Sequence, residues 1–195
     1  SLTSVLASKG YDIVGIDTDK EKCNKINNGI SPFFEPELEN ILKNGLKKKL
    51  KIRNDFSLIN DCNFIFVTVG TPQNQNGSID LSIIKKAIST IGENLQKNKK
   101  KPIILIKSTV IPGTIEKVIL PILEKKSNKK NGKDFGLISN PEFLQESSAI
   151  KDTKFPHVVV LGGNQTEFMK KTKKLFLKLH PNVPIINTNH QTAEM

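Results

Sequence analysis

Two glutamates four positions apart follow a proline in the segment Asn140-Pro141-Glu142-Phe143-Leu144-Gln145-Glu146. The proline stiffens the turn, and the apolar residues 135–138 before it have the length of a buried strand. If the turn runs into a helix, both carboxylates lie on one face, and one of them could serve as a general base. The segment also suits a plain strand-to-helix loop, in which the asparagine caps the helix and the glutamates complement its N-terminus. The surrounding elements must decide between the two interpretations.

Several apolar segments with the length of strands end in residues that could bind a ligand. They are residues 11–16 before Asp17, 63–69 before Gly70-Thr71-Pro72, 102–107 before Ser108-Thr109, and 135–138 before Asn140. Parallel strands point the same way, so we expect these ends to lie along the carboxyl edge of one sheet, where open α/β sheets bind ligands. Gly, Thr, Asn and Pro also favour turns for local reasons.

Strand-like and amphipathic helical segments alternate along the chain, which predicts an α/β fold. The sheet is expected to be doubly wound, Rossmann-like and largely parallel, with helices on both faces. Further strands are predicted at residues 50–52, 158–161 and 183–186. Helices are predicted at residues 2–8, 20–27, 37–46, 81–96, 114–125 and 165–179, with another starting near Gln191. Asp80 is expected to cap the helix at 81–96, and Pro121 to bend the helix at 114–125.

Asp17 follows the first strand-like segment in this chain. An acidic residue after the second strand of an NAD-binding fold accepts both adenosine ribose hydroxyls and repels a 2'-phosphate. The Gly-rich phosphate loop would lie about 20 residues earlier, so we expect it and the first strand to precede Ser1. In the alternative interpretation, Asp17 or Asp19 only caps the helix at residues 20–27.

The composition excludes several classes of protein. A length of 195 residues fits one domain, and the net charge of +11 comes almost entirely from lysine, with Arg53 as the single arginine. Surfaces that read nucleic acid favour arginine and stacking aromatics, but the chain has one tyrosine and no tryptophan. No apolar run reaches the roughly 18 residues of a membrane helix. We therefore expect neither a nucleic-acid nor a membrane partner, and a cytoplasmic location.

The cysteines and histidines show no spacing typical of a metal site. Cys23 and Cys62 stand alone, without a CxxC pair, and are expected to be packed thiols rather than nucleophiles. His157, His180 and His190 are far apart in the sequence. No metal is predicted.

A set of short motifs occurs in a characteristic order and spacing. They are Val14-Gly15-Ile16-Asp17, Asn28-Gly29-Ile30, Glu35-Pro36, Val69-Gly70-Thr71-Pro72, Lys107-Ser108-Thr109-Val110, the segment from Asn140 to Glu146, and Ala193-Glu194-Met195. Together they span nearly the whole chain and resemble the UDP-glucose/GDP-mannose dehydrogenase family, in particular its N-terminal cofactor-binding domain. Residues 1–195 are therefore expected to be one dinucleotide-binding domain, cut at both ends.

The resemblance implies a reaction and a set of roles. A sugar C6 alcohol is oxidised to a carboxylate with two NAD and one water, through a thioester on a cysteine of a further domain. The residues implied in NAD binding are Asp17, Lys22, Val69, Gly70, Thr71, Pro72, Ser108, Thr109 and Glu146. Glu142 would handle the water that hydrolyses the thioester, with Thr109 helping to position it. The sugar nucleotide would contact Glu142, Phe143, Leu144 and Gln145.

The choice between UDP-glucose and GDP-mannose stays open in the sequence. The resemblance also implies a homodimer or higher oligomer through a central helix beyond Met195, and a role in polysaccharide biosynthesis. Two alternative functions are the cofactor domain of a 3-hydroxyacid-type dehydrogenase and a non-catalytic dinucleotide-binding module. The pair of glutamates disfavours the first, and a downstream cysteine would disfavour the second. A methyltransferase or a lysine-rich interaction protein fits the strand ends less well.

Overall fold

The computed structural model describes residues 1–144, 148–164 and 166–195. Its helices are α1 (Leu2–Ser8), α2 (Lys20–Asn27), α3 (Leu38–Leu46), α4 (Ser82–Leu95), α5 (Leu120–Ser127), α6 (Ala149–Lys154), α7 (Glu167–Leu179) and α8 (His190–Ala193). A 3-10 helix covers Phe56–Asp61 and a π-helix covers Ile115–Ile119. The strands are β1 (Ile13–Ile16), β2 (Leu50–Arg53), β3 (Phe64–Val67), β4 (Ile103–Ile106), β5 (Gly136–Ser139), β6 (Val159–Gly162) and β7 (Ile185–Thr188).

The chain divides into two compact units. The first unit comprises Ser1–Phe56 and Phe143–His157, and the second unit comprises Ser57–Glu142 and Val158–Met195. The assignment of residues 1–195 to one dinucleotide-binding domain stays a prediction. None of the helices formed by the described residues is both long enough and apolar enough to cross a bilayer.

The first unit is built on two parallel strands, β1 and β2, paired from Ile13 with Leu50 to Ile16 with Arg53. Burial alternates along β2, so one face of the strand packs inward and the other stays exposed. The inward face joins a buried apolar cluster made of Ala7, Cys23, Leu42, Leu50 and Ile52. β1 ends at Ile16, so Asp17 directly follows this packed pair of strands.

The second unit contains a five-stranded sheet in the order β3-β4-β5-β6-β7. Strands β3, β4 and β5 are parallel to one another, and β6 is parallel to β7. All four residues of β4 are buried, as expected for a central strand of a sheet covered on both faces. The α/β class and the largely parallel sheet predicted from the sequence are confirmed.

The sheet contains one antiparallel pair, β5 and β6, joined through Ser139 and Gly162, which is compatible with the largely parallel sheet predicted. One detail of the prediction is wrong, because Asp17 does not share a sheet with the other predicted strand ends. It follows β1, whose described strand partner is β2 in a separate two-stranded sheet.

The segment predicted as one helix at residues 114–125 starts with a π-helix. The backbone N–H of Leu120 donates to the carbonyl of Ile115, five residues back, and α5 follows with Pro121 in its first turn. Proline lacks a backbone donor and disfavours a regular hydrogen-bond ladder before it, which accounts for the π-helix. The bend predicted at Pro121 stays a prediction. The carboxylate of Glu194 accepts from the N–H groups of Gly113 and Ile115, at 2.5 and 2.7 Å, and fixes the start of this segment.

Candidate functional site

The carboxyl ends of β3, β4 and β5 lie in register. Val67 pairs with Ile106, and Ile106 pairs with Ser139. The next residues continue the ladder, because Lys107 N–H donates to Val67 O at 2.9 Å and Asn140 N–H donates to Ile106 O at 2.8 Å. Residues 68–72, 107–109 and 140–142 therefore leave the sheet along one edge, here called the carboxyl rim.

Hydrogen bonds tie the first two segments of the carboxyl rim together. The hydroxyl of Ser108 donates to Val69 O at 2.7 Å, and the hydroxyl of Thr71 donates to Thr109 O at 2.8 Å. Side chains that the sequence analysis proposed as ligand contacts thus also hold neighbouring loops. These two hydrogen bonds restrain the loops that follow β3 and β4.

The loop that leaves β3 folds back on itself. Asp80 N–H donates to Pro72 O at 2.7 Å, and Gln73 forms a bridge with Ile79. A Cβ added at Gly70 would meet no atom within 4 Å, so the space beside this backbone is open. A ligand could approach the main chain at Gly70 closely.

Lys107, Asn140 and Glu142 form a cluster in the carboxyl rim. The Nζ of Lys107 lies 3.3 Å from Asn140 O, 3.4 Å from Asn140 Oδ1 and 3.9 Å from Glu142 Oε2. The side chain of Lys107 is 11% exposed, and that of Glu142 is 33% exposed. Burial lowers the pKa of Lys107, and the negative charge of Glu142 opposes that shift. The carboxylate therefore faces solvent on one side and a buried cation on the other.

The other residues of the two-glutamate segment either belong to the first unit or lie outside the described residues. Phe143 and Leu144 belong to the first unit and are exposed. The predicted contacts of Gln145 and Glu146 lie outside the described residues. Residues 141–144 are not helical, so the condition for a helix face shared with Glu146 is not met at Glu142.

Asp17 sits at the end of β1 in the first unit. Its Oδ2 accepts from Lys22 Nζ at 2.5 Å, and its Oδ1 accepts from Asp19 N–H at 3.1 Å. Burial raises the pKa of Asp17, but the hydrogen bond from Lys22 and that from Asp19 outweigh it, so this pKa lies below its ordinary value. Asp19 caps α2 by accepting from Lys22 N–H at 3.0 Å. Capping therefore falls to Asp19, and Asp17 presents a partly exposed carboxylate.

The two cysteines are packed as the sequence predicted. The thiol of Cys23 is buried and lies 3.5 Å from Arg53 O. Burial raises the pKa of the Cys62 thiol, which disfavours its reactive thiolate form. Within residues 1–144, 148–164 and 166–195, no three His, Cys, Asp or Glu side chains are grouped so as to hold a metal ion.

Sequence reasoning assigned no role to Lys107, and it gave the side chain of Asn140 only a possible role as a helix cap. Both are buried, and Asn140 Nδ2 donates to Val160 O at 3.0 Å across to β6. The sequence does contain a signal for Lys107, because a lysine that directly follows four apolar strand residues lies next to the buried part of the sheet. The pattern alone does not say whether such a lysine reaches solvent.

Comparisons with known proteins agree with this geometry. A family model described as the UDP-glucose/GDP-mannose dehydrogenase family, NAD binding domain, matches residues 1–180. A GDP-mannose 6-dehydrogenase from Pseudomonas syringae is 41% identical over 194 residues, which cover 97% of this chain and 43% of the relative. A UDP-glucose 6-dehydrogenase from Haloferax volcanii is 31% identical over 198 residues, covering 100% and 46%.

A crystal structure of a ternary complex of a Pseudomonas GDP-mannose dehydrogenase superposes with a TM-score of 0.92 at 36% identity, over 99% of this chain and 44% of that one. This chain thus spans less than half the length of the relatives it matches. NAD, the predicted cofactor, is confirmed by the matched domain. The chain belongs to the UDP-glucose/GDP-mannose dehydrogenase family, and its residues 1–180 match the NAD-binding domain of that family.

Proposed function

We propose that this chain is the NAD-binding part of a nucleotide-sugar 6-dehydrogenase, which oxidises the C6 alcohol of GDP-mannose or UDP-glucose to the uronate. The observation that carries the proposal is the position of Glu142, a half-buried carboxylate in the carboxyl rim of an NAD-binding domain. Relatives named GDP-mannose 6-dehydrogenase reach 41% identity and the UDP-glucose relative 31%. GDP-mannose is therefore the first substrate to test.

Each unit, taken by itself, offers groups that NAD could contact. In the first unit, the partly exposed carboxylate of Asp17 can accept hydrogen bonds from the two hydroxyls of the adenosine ribose, and Lys22 lies beside it. In the second unit, the space beside the backbone of Gly70 is open, and residues 69–72 with Ser108 and Thr109 are proposed to line the NAD site. When held by these residues, NAD would supply the hydride acceptor for the two oxidation steps. Glu146 keeps its proposed contact with NAD, outside the described residues.

Glu142 is the proposed base for hydrolysis of the acyl-enzyme. It accepts a proton from water as the water oxygen attacks the acyl carbon, and the carbon–sulfur bond breaks to release the uronate and the thiol. Thr109, exposed in the carboxyl rim, is proposed to position that water. The backbone of residues 143–145 is proposed to contact the sugar nucleotide. The predicted cytoplasmic location, homo-oligomer and biosynthetic role stay predictions.

The test uses the full-length protein with NAD and each nucleotide sugar. Glu142→Gln should still transfer hydride but stall as an acyl-enzyme, lowering steady turnover about 100-fold. Rapid quenching and intact-mass measurement detect the trapped adduct, while NADH absorbance follows the oxidation.

Glu93→Gln is the matched control, because it makes the same chemical change in a carboxylate of α4 that pairs with Lys126 at 2.7 Å. It should keep wild-type turnover. Unchanged turnover in Glu142→Gln would exclude Glu142 as the base. No uronate from either sugar in the wild-type protein would overturn the proposed reaction itself.

A further inference from the structure

Lys107 is a buried cation for which the proposed reaction has no use so far. It follows β4, whose residues Ile103–Ile106 are all buried, and its own side chain is nearly nine-tenths buried. The backbone of Lys107 is held by Val67 O through the sheet ladder. The backbone of Lys107 is therefore held in place, and its side chain extends toward residues 140–142 in the carboxyl rim.

The neutral groups around the ammonium do not satisfy it fully. Asn140 presents its carbonyl and its Oδ1 at 3.3 and 3.4 Å, which are longer than the usual 2.7–3.2 Å range for an N–H···O hydrogen bond. Asn140 cannot move closer easily, since its N–H and its Nδ2 are bound to Ile106 O and Val160 O. Within the described part of the chain, the carboxylate within ion-pair distance of Lys107 is that of Glu142.

A charge in this position opposes folding. Removing an ammonium from water costs free energy unless hydrogen bonds and an opposite charge compensate, and an apolar side chain of similar size would fill the same volume without that cost. The partner carboxylate keeps a solvent-facing side and lies 3.9 Å away, so the pair is not a closed structural salt bridge. The arrangement suits a cation that acts on an accessible carboxylate.

We propose that Lys107 is a positioning residue, which holds the Glu142 carboxylate in the orientation that binds the attacking water. The inference rests on the proposed function of Glu142. Lys107 reaches the carboxylate from the buried side, and the opposite side of Glu142 is left for the water. Asn140 anchors Lys107, so the cation and the main chain that carries Glu142 are fixed by the same residue.

Two kinds of measurement test the proposal in the full-length protein. In single-turnover kinetics, Lys107→Met should slow release of the acyl group about tenfold or more, while the first hydride transfer changes about twofold or less. Lys107→Arg keeps the charge and should recover most of the loss. In Glu142→Gln the further change Lys107→Met should add nothing, because the lysine acts through that carboxylate.

The second measurement does not depend on activity. The side-chain NMR signal of Lys107 is titrated with pH in the wild-type protein and in Glu142→Gln. Removing the carboxylate should move the Lys107 midpoint to lower pH, because the attraction that opposes the effect of burial is lost. An unchanged midpoint would overturn the inference.

Lys126→Met is the matched control, since it removes an exposed lysine that pairs with Glu93 on the same unit. It should leave both the kinetics and the Lys107 midpoint unchanged. Additive effects of Lys107→Met and Glu142→Gln, or equal losses in Lys107→Met and Lys126→Met, would assign Lys107 a structural role only.

If Glu142→Gln stalls and Lys107→Met does not, the inference fails and the proposed function stands. If no uronate forms, the proposed function fails, and the NMR titration still decides the coupling.

Discussion

In each unit a lysine–carboxylate pair lies at the carboxyl end of a strand, and the two pairs differ in distance and solvation. In the first unit, Lys22 and Asp17 lie 2.5 Å apart with 43% and 31% of their side chains exposed. In the second unit, Lys107 and Glu142 lie 3.9 Å apart, and the lysine is 11% exposed. The closer pair is the better solvated one.

The comparison shows that a short ion-pair distance is a poor guide to what a pair does. Exposed pairs contribute between about 0 and 1 kcal/mol, because water solvates both partners when they separate. Asp17 can therefore exchange part of its contact with Lys22 for a ribose diol at little cost. Lys107 has no such freedom, because burial removes water from its ammonium, and its charge depends on Asn140 and Glu142.

For the exposed pair, the largest effect is expected when the carboxylate of Asp17 is removed. Asp17→Ala should raise the Kd of NAD about tenfold or more, since it removes the proposed acceptor of charge-assisted hydrogen bonds from the ribose. It should also narrow the preference for NAD over NADP, because the repulsion of a 2'-phosphate is lost. Isothermal titration of the full-length protein with both dinucleotides measures the two affinities.

Asp19→Ala is the control for this change. Asp19 accepts from Lys22 N–H as the N-cap of α2, so its loss should lower the free energy of unfolding by about 1 kcal/mol. The NAD affinity should stay within about twofold of the wild-type value, because no contact with the ribose is removed. Equal weakening of NAD binding in both variants would mean that Asp17 acts through local structure.

A change at Asn140 tests the description of the buried pair. Asn140→Ala removes the hydrogen bond from Nδ2 to Val160 O and the Oδ1 atom beside Lys107. It should lower the free energy of unfolding by about 2 kcal/mol, since a buried carbonyl and a buried cation both lose a partner. Urea denaturation measures the loss, and acyl release should slow as well.

The second unit offers a matched control for this asparagine. Asn98 is equally buried, and its Nδ2 donates to Ile59 O at 2.7 Å, away from the carboxyl rim. Asn98→Ala should destabilise the protein by a similar amount and leave the rate of acyl release unchanged. If both variants release the acyl group at the same rate, Asn140 has no role beyond stability.

The exposed pair lies in a part of the chain that its sequence predicts well. Helices α1 and α2 have the predicted bounds, because Asp19 marks the start of α2 and a positive-φ glycine follows each helix, Gly10 and Gly29. The alternation of apolar and charged residues along β2 likewise indicates which face of the strand is buried. Local signals suffice here, since each boundary is set by a residue and its neighbours in sequence.

The buried pair depends on contacts that local signals do not contain. The burial of Lys107 results from β4 lying between β3 and β5, and the restraint on Asn140 comes from β6. The antiparallel direction of β6 also escapes a pattern of apolar residues. The sequence therefore places Glu142 at a strand end but does not reveal the cation beside it.

The smallest expected effect is the pH dependence of stability due to Lys107. Its pKa in the folded chain lies below the ordinary value of 10.5, because burial outweighs the attraction of Glu142. Between these two pKa values the unfolded chain binds more protons than the folded chain, so the free energy of unfolding rises with pH across that window. Lys107→Met lacks this contribution. The free energy of unfolding of the wild type should therefore rise relative to that of Lys107→Met as the pH approaches 10.5. Urea denaturation at a series of pH values measures the two curves. Lys126→Met keeps Lys107 and should follow the wild-type slope. A wild-type curve parallel to that of Lys107→Met would show that folding does not lower the pKa of Lys107.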